Sequence, residues 1–356
     1  MGKCAVVLMN LGGPDKQESV QPFLFNLFND PAIISVPRPL RWFLAQVISR
    51  KRAPVARLIY EKIGGGSPLL QETEAQAQVL ERSLGSDYRV FLSMRYWHPR
   101  SHEAVNAVLS YDPERIVLVP LYPQYSTTTT GSSVGDWNKA AAELGLQKPT
   151  AVVGCYATNP LFISAHVKLI KRFLEPSKPN RSQKVLFSAH GLPEKIIAKG
   201  DPYQSQVERT AKAIIQELAC PHLEWEVCYQ SRVGPLRWIG PSTEELITEA
   251  GASGKSLVVV PIAFVSEHSE TLVELDIEYA DLARRAGVHS YQRVPTLGVS
   301  EGFVLALGNM VKSANCVSHE HPVQEANWCS PQLQLCCKTL GGKDGAHPNV
   351  WSGNKP

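Results

Sequence analysis

The sequence predicts an α/β protein made of two similar halves, each with parallel strands flanked by helices. Short apolar, β-branched segments alternate with helical patterns along most of the chain, which is typical of parallel sheets with crossover helices. The strand and turn at 6–14 resemble those at 185–193, and the strand end at 116–121 resembles that at 257–262. The chain of 356 residues is also long enough for two domains.

Eight segments carry the strand pattern, at 5–9, 88–93, 116–120, 151–153, 184–188, 225–229, 257–261 and 289–294. Ten segments carry the helical pattern, at 17–28, 38–51, 71–84, 101–109, 134–144, 160–174, 203–218, 242–250, 268–285 and 300–313. We place an N-terminal domain at 1–154 and a C-terminal domain at 155–314. The tail at 315–356 contains cysteines and loses periodicity, and its polar last part, 341–356, is expected to be disordered.

Composition and charge favour a globular enzyme. Hydrophobic residues make up 44% and charged residues 19% of the chain, and the net charge of +3 is too small to indicate a nucleic-acid partner. The N-terminus predicts a strand and a turn rather than a signal peptide, and no run of about 18 apolar residues predicts a transmembrane helix. We therefore expect a cytoplasmic protein whose eight cysteines are thiols or metal ligands rather than disulfides.

The segment 255–285 is the most suggestive of chemistry. A buried strand ends in SEHSE at 266–270, and a helical pattern follows. At about 100° per residue, five carboxylates would fall within roughly 80° of one another on that helix. They belong to Glu267, Glu270, Glu274, Glu278 and Asp281. Carboxylates with one imidazole at the carboxyl end of a strand suit a divalent metal or proton transfer, and a solvated helix face accounts for the same pattern without any chemistry.

Three other strand ends carry functional groups. His190 follows a buried strand, where it is suited to proton transfer or is simply a turn histidine bonded to backbone. Arg95 and Tyr96 end a second strand, and Tyr122 is followed by a run of hydroxyl residues at the end of a third. Those hydroxyls are suited to an anion or to capping the next helix.

The segment 36–52 mixes aromatic and aliphatic residues with arginine and lysine. An amphipathic, basic stretch of this kind is able to lie on a membrane surface, and it is equally able to pack on its own domain. We expect peripheral contact with the inner surface of a membrane through this segment.

Nine ordered motifs between residues 4 and 313 resemble those of the ferrochelatase family, whose members insert ferrous iron into protoporphyrin IX. The motifs are NLGGP (10–14), IGGGSP (63–68), RYWHP (95–99), YPQYS (122–126), SAHGLP (188–193), GDPY (200–203), YQSRVGP (229–235), WIGP (238–241) and SEHSETL (266–272). The resemblance implies two Rossmann-like domains around a porphyrin cleft, with protohaem as the product and Fe²⁺ as a substrate.

The resemblance also implies roles for individual residues. His190 and Glu270 match the catalytic pair, and His190, Glu270, His268 and Glu274 match the residues that handle the metal. The residues expected to contact the porphyrin are Leu11, Lys51, Arg52, Tyr60, Ser67, Arg95, Tyr96, Tyr122, Ser231 and Trp238. Leu11 stands where some members have methionine, which would alter the pocket slightly.

Some members of the family bind a [2Fe–2S] cluster through four cysteines. The animal arrangement is absent here, because Thr127, Leu340 and Gly345 occupy three of its four ligand positions. Another set, Cys155 with Cys329, Cys336 and Cys337, contains four cysteines and is the candidate for such a cluster in this chain.

Three alternatives to protoporphyrin ferrochelatase activity remain at this point. One is a non-catalytic tetrapyrrole or metal carrier, which would need the pocket but not both His190 and the carboxylates. The second is insertion of another metal, such as cobalt, into a different tetrapyrrole. The third is a ferrochelatase that uses coproporphyrin, whereas the hydroxyl run and the basic pair Lys51-Arg52 favour a dicarboxylate porphyrin.

Overall fold

The structure, a computed structural model, describes residues 2–174, 182–232, 236–315 and 350–351. The chain divides into two compact units, Met1–Cys155 and Tyr156–Phe303, and the chain from Val304 onward within the described residues belongs to the first unit. The predicted C-terminal domain, 155–314, thus differs from the second unit in its last residues.

The first unit contains a sheet with the strand order β2-β1-β3-β4-β9. Its strands are β1 (Cys4–Asn10), β2 (Tyr88–Met94), β3 (Arg115–Pro120), β4 (Thr150–Val152) and β9 (Val350–Trp351). The first four are parallel, and β1 has a partner strand on each side. Every residue of β1 is buried, as is typical of a parallel strand whose two faces are covered by helices. β9 joins the edge antiparallel to β4. Val350 and Trp351 are the described residues of the range 341–356, so the disorder expected for that range stays a prediction.

The second unit contains a four-stranded parallel sheet with the order β6-β5-β7-β8. Its strands are β5 (Gln183–His190), β6 (Glu224–Gln230), β7 (Ser256–Pro261) and β8 (Tyr291–Arg293). The predicted α/β class with parallel sheets flanked by helices is therefore confirmed, and each of the eight predicted strands is present within a few residues of its expected bounds.

Eleven α-helices connect and cover the strands of the described residues. They are α1 (Val20–Phe28), α2 (Arg38–Glu61), α3 (Leu69–Leu84), α4 (Ser101–Tyr111), α5 (Ser132–Glu143), α6 (Pro160–Ile170), α7 (Glu194–Ala198), α8 (Tyr203–Leu218), α9 (Thr243–Ala252), α10 (Ala280–Ala286) and α11 (Glu301–Asn315). Within each unit, apolar helix faces pack on the sheet. Trp137 of α5 is the largest fully buried side chain of the first unit, and Leu246 of α9 and Tyr279 lie in the core of the second.

α7 was not predicted, and two other helices differ from the predicted pattern. α2 does not end at 51 but continues through Pro54 to Glu61. Proline cannot donate to the carbonyl of Arg50, and both residues are exposed, so water is available to that carbonyl. The second difference lies at Glu270–Tyr279, which forms a π-helix that leads directly into α10. The 100° spacing assumed for the carboxylates therefore does not hold there.

Among the described residues, no helix is both long enough and apolar enough to cross a membrane. α2 has the length, with 24 residues, but its many arginine and lysine side chains exclude it from a hydrocarbon layer.

Close packing of α9 against α10 gives a stability prediction at Gly251. A Cβ atom at this position would lie 2.2 Å from the backbone oxygen of Ala286, so one helix must move. We expect Gly251→Ala to lower the melting temperature by several degrees, although alanine favours the helical backbone by about 1 kcal/mol.

The matched control is Gly135→Ala in α5, where nothing lies within 4 Å of the added Cβ. Here the same substitution is expected to raise the melting temperature, because only helix propensity changes. Thermal unfolding followed by circular dichroism measures both variants, and equal shifts would contradict the packing argument.

Candidate active site

Parallel pairing of β5 with β6 places the first functional groups side by side. His190, the last residue of β5, lies opposite Gln230, the last residue of β6, and Ser231 follows directly. The amide of Gly191 donates to the carbonyl of Gln230 over 2.8 Å, and a Cβ atom at Gly191 would lie 3.0 Å from that same oxygen. The absence of a side chain at Gly191 thus lets the two strand ends approach closely.

Glu270, at the start of the π-helix, completes the pair predicted from sequence. Its Oε2 atom lies 2.7 Å from Nδ1 of His190. The imidazole is 39% and the carboxylate 23% exposed, so both remain reachable from solvent. Burial by itself lowers the pKa of His190, but the charge of Glu270, its hydrogen bond and the charge of Glu274 outweigh burial and raise it. Burial likewise raises the pKa of Glu270, and the contacts with His190 more than offset this effect and lower it to about 2.

This contact fixes the roles of the two imidazole nitrogens. Nδ1 carries the proton that points to Glu270, so Nε2 is the nitrogen whose lone pair is available. The hydroxyl of Tyr203 donates to the backbone carbonyl of His190 over 3.0 Å and anchors the strand end from the other side. An imidazole held at Nδ1 by a carboxylate in this way is chemically able to accept a proton at Nε2.

Glu274, one turn further along the π-helix, has hydrogen-bond donors on both carboxylate oxygens. Oε1 accepts from the amide of Ser231 over 2.8 Å and from the hydroxyl of Tyr279 over 2.9 Å. Oε2 accepts from the side-chain amide of Gln230 over 3.0 Å and from the Ser231 hydroxyl over 2.5 Å. Burial and the neighbouring charge of Glu270 raise the pKa of Glu274, even though these donors favour its ionised form.

His268 stands apart from the His190–Glu270 contact. It is 7% exposed, its Nδ1 lies 3.1 Å from the carbonyl oxygen of Ser266, and its ring packs against Phe264 with 4.6 Å between ring centroids. Burial lowers the pKa of His268 and so favours its neutral form. Across the described part of the chain, no three His, Cys, Asp or Glu side chains are grouped so as to hold a metal ion. The structure therefore pairs His190 with Glu270 but does not assemble the four predicted metal residues into one ligand set.

The predicted row of carboxylates is divided among separate partners. Glu267 and Asp276 both bind Arg293 of β8, with 2.6 Å from Nη1 to Glu267 Oε1 and 2.7 Å from Nε to Asp276 Oδ1. Asp281 instead pairs with two arginines of its own helix, α10. The predicted carboxylates thus do not form one continuous acidic face. Glu267 lies before the helix begins, and from Glu270 onward the π-helical turn changes the assumed α-helical spacing.

In the first unit, Arg95 lies in a buried ionic network centred on Asp30. Oδ2 of Asp30 accepts from Arg95 over 2.8 Å, from the Tyr96 hydroxyl over 2.7 Å and from the Ser132 hydroxyl over 2.5 Å. Asp136 lies 3.4 Å from the other side of the guanidinium. Tyr96 is fully buried, so a porphyrin contact by its ring would require the side chain to become exposed.

The other predicted porphyrin residues of the first unit occupy several environments. Leu11, Tyr60 and Tyr96 belong to one apolar cluster. The hydroxyl oxygen of Ser67 accepts from the backbone of Leu69 over 3.3 Å, and the hydroxyl of Tyr122 lies 3.5 Å from that of Ser133. Lys51 and Arg52 are exposed on α2, and Arg52 lies over the ring of Phe28.

Two predicted residues of the second unit flank the strand ends. Ser231 lies beside Glu270 and Glu274 rather than on a separate wall, with its hydroxyl 3.2 Å from Glu270 Oε2. The ring of Trp238 would be 3.4 Å from a Cβ atom at Gly191, and its buried Nε1 has no hydrogen-bond partner among the described residues. The porphyrin contacts of all ten residues stay a prediction.

Of the four candidate cluster cysteines, Cys155 follows β4 and is half-buried. The other three, Cys329, Cys336 and Cys337, lie outside the described residues.

Sequence reasoning missed several residues that support the site. Asp30 lies in the loop between α1 and α2 and meets Arg95 65 positions away in the first unit. Gln230 and Tyr203 act through contacts that no local spacing reveals. Gln230 lies in the motif YQSRVGP and Tyr203 in the motif GDPY, so the motifs could have identified both as site residues. Asp30 had no such signal.

The contact between His190 and Glu270 predicts how the imidazole titrates. In Glu270→Gln the carboxylate charge is lost while burial remains, so the pKa of His190 is expected to fall below its wild-type value. NMR titration of histidine-labelled protein measures this pKa, and the signal missing from His190→Ala assigns the resonance. An unchanged pKa in Glu270→Gln would contradict the ion pair.

Comparison with known proteins identifies the family of this chain. The family described as ferrochelatase matches residues 3–315. Proteins named ferrochelatase from Pelagibacter ubique and Caulobacter vibrioides are each 51% identical to this chain, covering 88% of it and 92% and 90% of those proteins. The one from Phenylobacterium zucineum is 50% identical over 96% of this chain and 99% of its own length.

A solved structure is similar in fold alone. The sirohydrochlorin chelatase SirB from Bacillus subtilis subspecies spizizenii, in complex with cobalt, aligns with a TM-score of 0.52 and 13% identity, over 87% of this chain and 94% of that one. The family match spans both units and includes the His190–Glu270 pair, and about half of the aligned residues are shared with the named relatives. The chain belongs to the ferrochelatase family.

Proposed function

We propose that this chain inserts Fe²⁺ into protoporphyrin IX to form protohaem, with His190 as the proton acceptor and Glu270 as the carboxylate that receives the iron. Membership of the ferrochelatase family supports the reaction. The single structural observation that supports the two roles is the 2.7 Å contact between His190 Nδ1 and Glu270 Oε2 at adjacent element ends.

Metallation replaces two pyrrole N–H protons of the porphyrin with one Fe²⁺, so the site must accept protons and admit a dication. The Nε2 atom of His190 is suited to the first task, because Nδ1 is held by Glu270 and the ring is partly exposed. The negative charge of Glu270 stabilises the imidazolium that forms when Nε2 takes a proton. The raised pKa of His190 makes it a stronger base than an isolated imidazole.

Glu270 is suited to the second task because one of its oxygens is open. Oε2 accepts from His190 and lies 3.2 Å from the Ser231 hydroxyl, whereas Oε1 accepts no hydrogen bond from the described residues. The lowered pKa, about 2, keeps this carboxylate ionised across the physiological range. A cation on Oε1 would weaken the attraction between Glu270 and the imidazolium, and the proton on His190 would then leave more easily.

The function is tested by incubating the purified protein anaerobically with protoporphyrin IX and Fe²⁺. Wild type is expected to form haem, seen as loss of porphyrin fluorescence and gain of haem absorbance. His190→Ala is expected to lower turnover at least a hundredfold while porphyrin binding is retained, since general-base catalysis contributes roughly 10²–10⁴-fold.

A matched control is His102→Ala. His102 also contacts a carboxylate, Glu143 at 2.6 Å, but both side chains are about half exposed on the first unit. This variant is expected to keep wild-type turnover. Porphyrin binding without haem formation by wild type would favour a carrier, and haem-like product only with cobalt or with coproporphyrin would favour the corresponding chelatase.

Peripheral membrane contact is a further proposal, supported by α2 and the loop before it. Between residues 31 and 60 the chain has six arginine or lysine residues and no aspartate or glutamate. Seven large apolar side chains in the same stretch are 40–63% exposed, namely Ile33, Leu40, Trp42, Phe43, Val47, Val55 and Leu58. Exposed apolar and aromatic groups beside unopposed positive charge favour a surface of anionic lipid.

This proposal predicts a charge-sensitive flotation result. Wild type is expected to float with vesicles that contain an anionic phospholipid, and Trp42→Glu with Phe43→Glu is expected to abolish flotation, because two apolar side chains become anionic. Leu305→Glu in α11 is the control, since Leu305 is 51% exposed outside this segment. Flotation of the double variant equal to wild type would refute the proposed surface.

The proposed [2Fe–2S] cluster on Cys155, Cys329, Cys336 and Cys337 has its own measurement. Protein purified without oxygen is expected to contain iron and acid-labile sulfide in equal amounts and to absorb in the visible region, and Cys155→Ser is expected to lose both. Cys220→Ser, at an exposed cysteine outside the set, is the control. Wild type without sulfide would refute this ligand set and leave the ferrochelatase proposal unaffected.

A further inference from the structure

Ser231 has a backbone conformation that is uncommon for its residue type. Its φ angle is +62°, in the left-handed region that glycine and asparagine adopt more readily. A side chain held there in a site that carries chemistry indicates that its contacts compensate for the strain.

Those contacts all go to carboxylates of the π-helix. The Ser231 amide donates to Glu274 Oε1 over 2.8 Å, and its hydroxyl lies 2.5 Å from Glu274 Oε2 and 3.2 Å from Glu270 Oε2. The left-handed turn after β6 aims both the amide and the hydroxyl of one residue at the same carboxylate. Ser231 therefore joins the end of β6 to the two glutamates.

The consequence is a difference between the two glutamates in what they are able to bind. Four donor groups contact the oxygens of Glu274, one of them the Tyr279 hydroxyl whose single proton is shared with Glu244, and a carboxylate offers about four acceptor sites. Glu270 Oε2 accepts from His190 and lies 3.2 Å from the Ser231 hydroxyl, whose one proton goes to the nearer Glu274, and Oε1 of Glu270 accepts no hydrogen bond from the described residues. A cation is therefore able to bind Oε1 of Glu270 without displacing a hydrogen bond, whereas binding to Glu274 would displace one of its donors.

We propose that Ser231 is a positioning residue for binding of Fe²⁺. Its amide and hydroxyl occupy acceptor sites of Glu274, so that Oε1 of Glu270 is the carboxylate oxygen left for the cation. This assignment deepens the proposed function and rests on it. It differs from the role expected from sequence, in which Ser231 forms part of the porphyrin wall. The two roles predict different kinetic effects. Loss of the positioning role raises KM for Fe²⁺, whereas loss of a porphyrin contact raises KM for porphyrin.

The test compares Ser231→Ala with Ser231→Gly under saturating concentrations of the second substrate. Both variants lose the hydroxyl and keep the backbone amide donor, and glycine in addition relieves the strain at φ +62°. We expect KM for Fe²⁺ to rise about tenfold in both, as is usual when a group that orients a metal ligand is removed, and KM for porphyrin to stay within about twofold.

A rise in KM for porphyrin with unchanged KM for Fe²⁺ would overturn the proposal and indicate that Ser231 contacts the porphyrin instead. A wild-type KM for Fe²⁺ in Ser231→Gly would also overturn it, because the hydroxyl would then be dispensable. Ser231→Gly keeps the test decisive if Ser231→Ala folds poorly, since glycine suits this backbone.

Tyr279→Phe provides a second, independent removal of a donor to Glu274. Tyr279 is 5% exposed, and its hydroxyl lies 2.9 Å from Glu274 Oε1 and 2.9 Å from Glu244 Oε1. We expect this variant to raise KM for Fe²⁺ about threefold or more with KM for porphyrin unchanged. No change in KM for Fe²⁺ would contradict the role assigned to Glu274.

A binding measurement separates this proposal from the proposed function. Isothermal titration of porphyrin-free protein with Zn²⁺ is expected to show about tenfold weaker binding in Ser231→Ala and Ser231→Gly than in wild type. Equal affinities would overturn the positioning role even if haem is formed. Failure of wild type to form haem would refute the proposed function, while the Zn²⁺ comparison would still decide the role of Ser231.

Discussion

The parallel pairing of β5 with β6 is the constraint on which the site of the second unit depends. The register that sets His190 opposite Gln230 brings a base and a hydrogen-bonding turn to the same sheet edge. A shift by one residue would move every side chain of the strand to the opposite face, and His190 would no longer meet Glu270. The register is secured by the buried apolar side chains of both strands and by the neighbouring strand β7, whose six residues are all buried.

This edge holds two carboxylates and an imidazole close together, and burial of such groups is costly unless each is satisfied. The second unit meets that cost by supplying donors from several elements. Glu270 receives His190 from β5, and Glu274 receives donors from Gln230, Ser231 and Tyr279. In the first unit, the buried carboxylate of Asp30 is stabilised in another way, because one of its oxygens accepts from Arg95 and from two hydroxyls, those of Tyr96 and Ser132.

Much of the fold and part of the site followed from the sequence. Buried strands such as β7 are recognisable because a short run of β-branched residues between polar turns is typical of a strand that is covered on both faces. His190 and Glu270 were identified through motifs, and the structure brings them within hydrogen-bonding distance. The π-helix was not foreseeable, because apolar periodicity over ten residues does not distinguish it from an α-helix.

The contacts that support the site were also beyond local reasoning. Asp30 lies 65 residues from Arg95, and Ser231 lies 43 residues from Glu274, so their proximity depends on how strands and helices pack. The positive φ of Ser231 was not predictable from residue type, because serine rarely adopts the left-handed region. Sequence patterns therefore specify which groups are present at a strand end, and the packed structure decides which of them are already engaged.

The π-helix at Glu270–Tyr279 has a consequence for how this segment is able to vary among relatives. A helix with i to i+5 hydrogen bonds accommodates more residues per turn than an α-helix, so it amounts to a regular helix that carries extra chain. Losing a single residue between Glu270 and Tyr279 would allow the segment to relax into an ordinary helix, and Glu274 would then face away from the turn after β6. Substitutions within Glu270–Tyr279 keep the number of residues and so preserve the spacing of its side chains, whereas insertions and deletions change that spacing. The number of residues in this turn is therefore as much a part of the site as the side chains it carries.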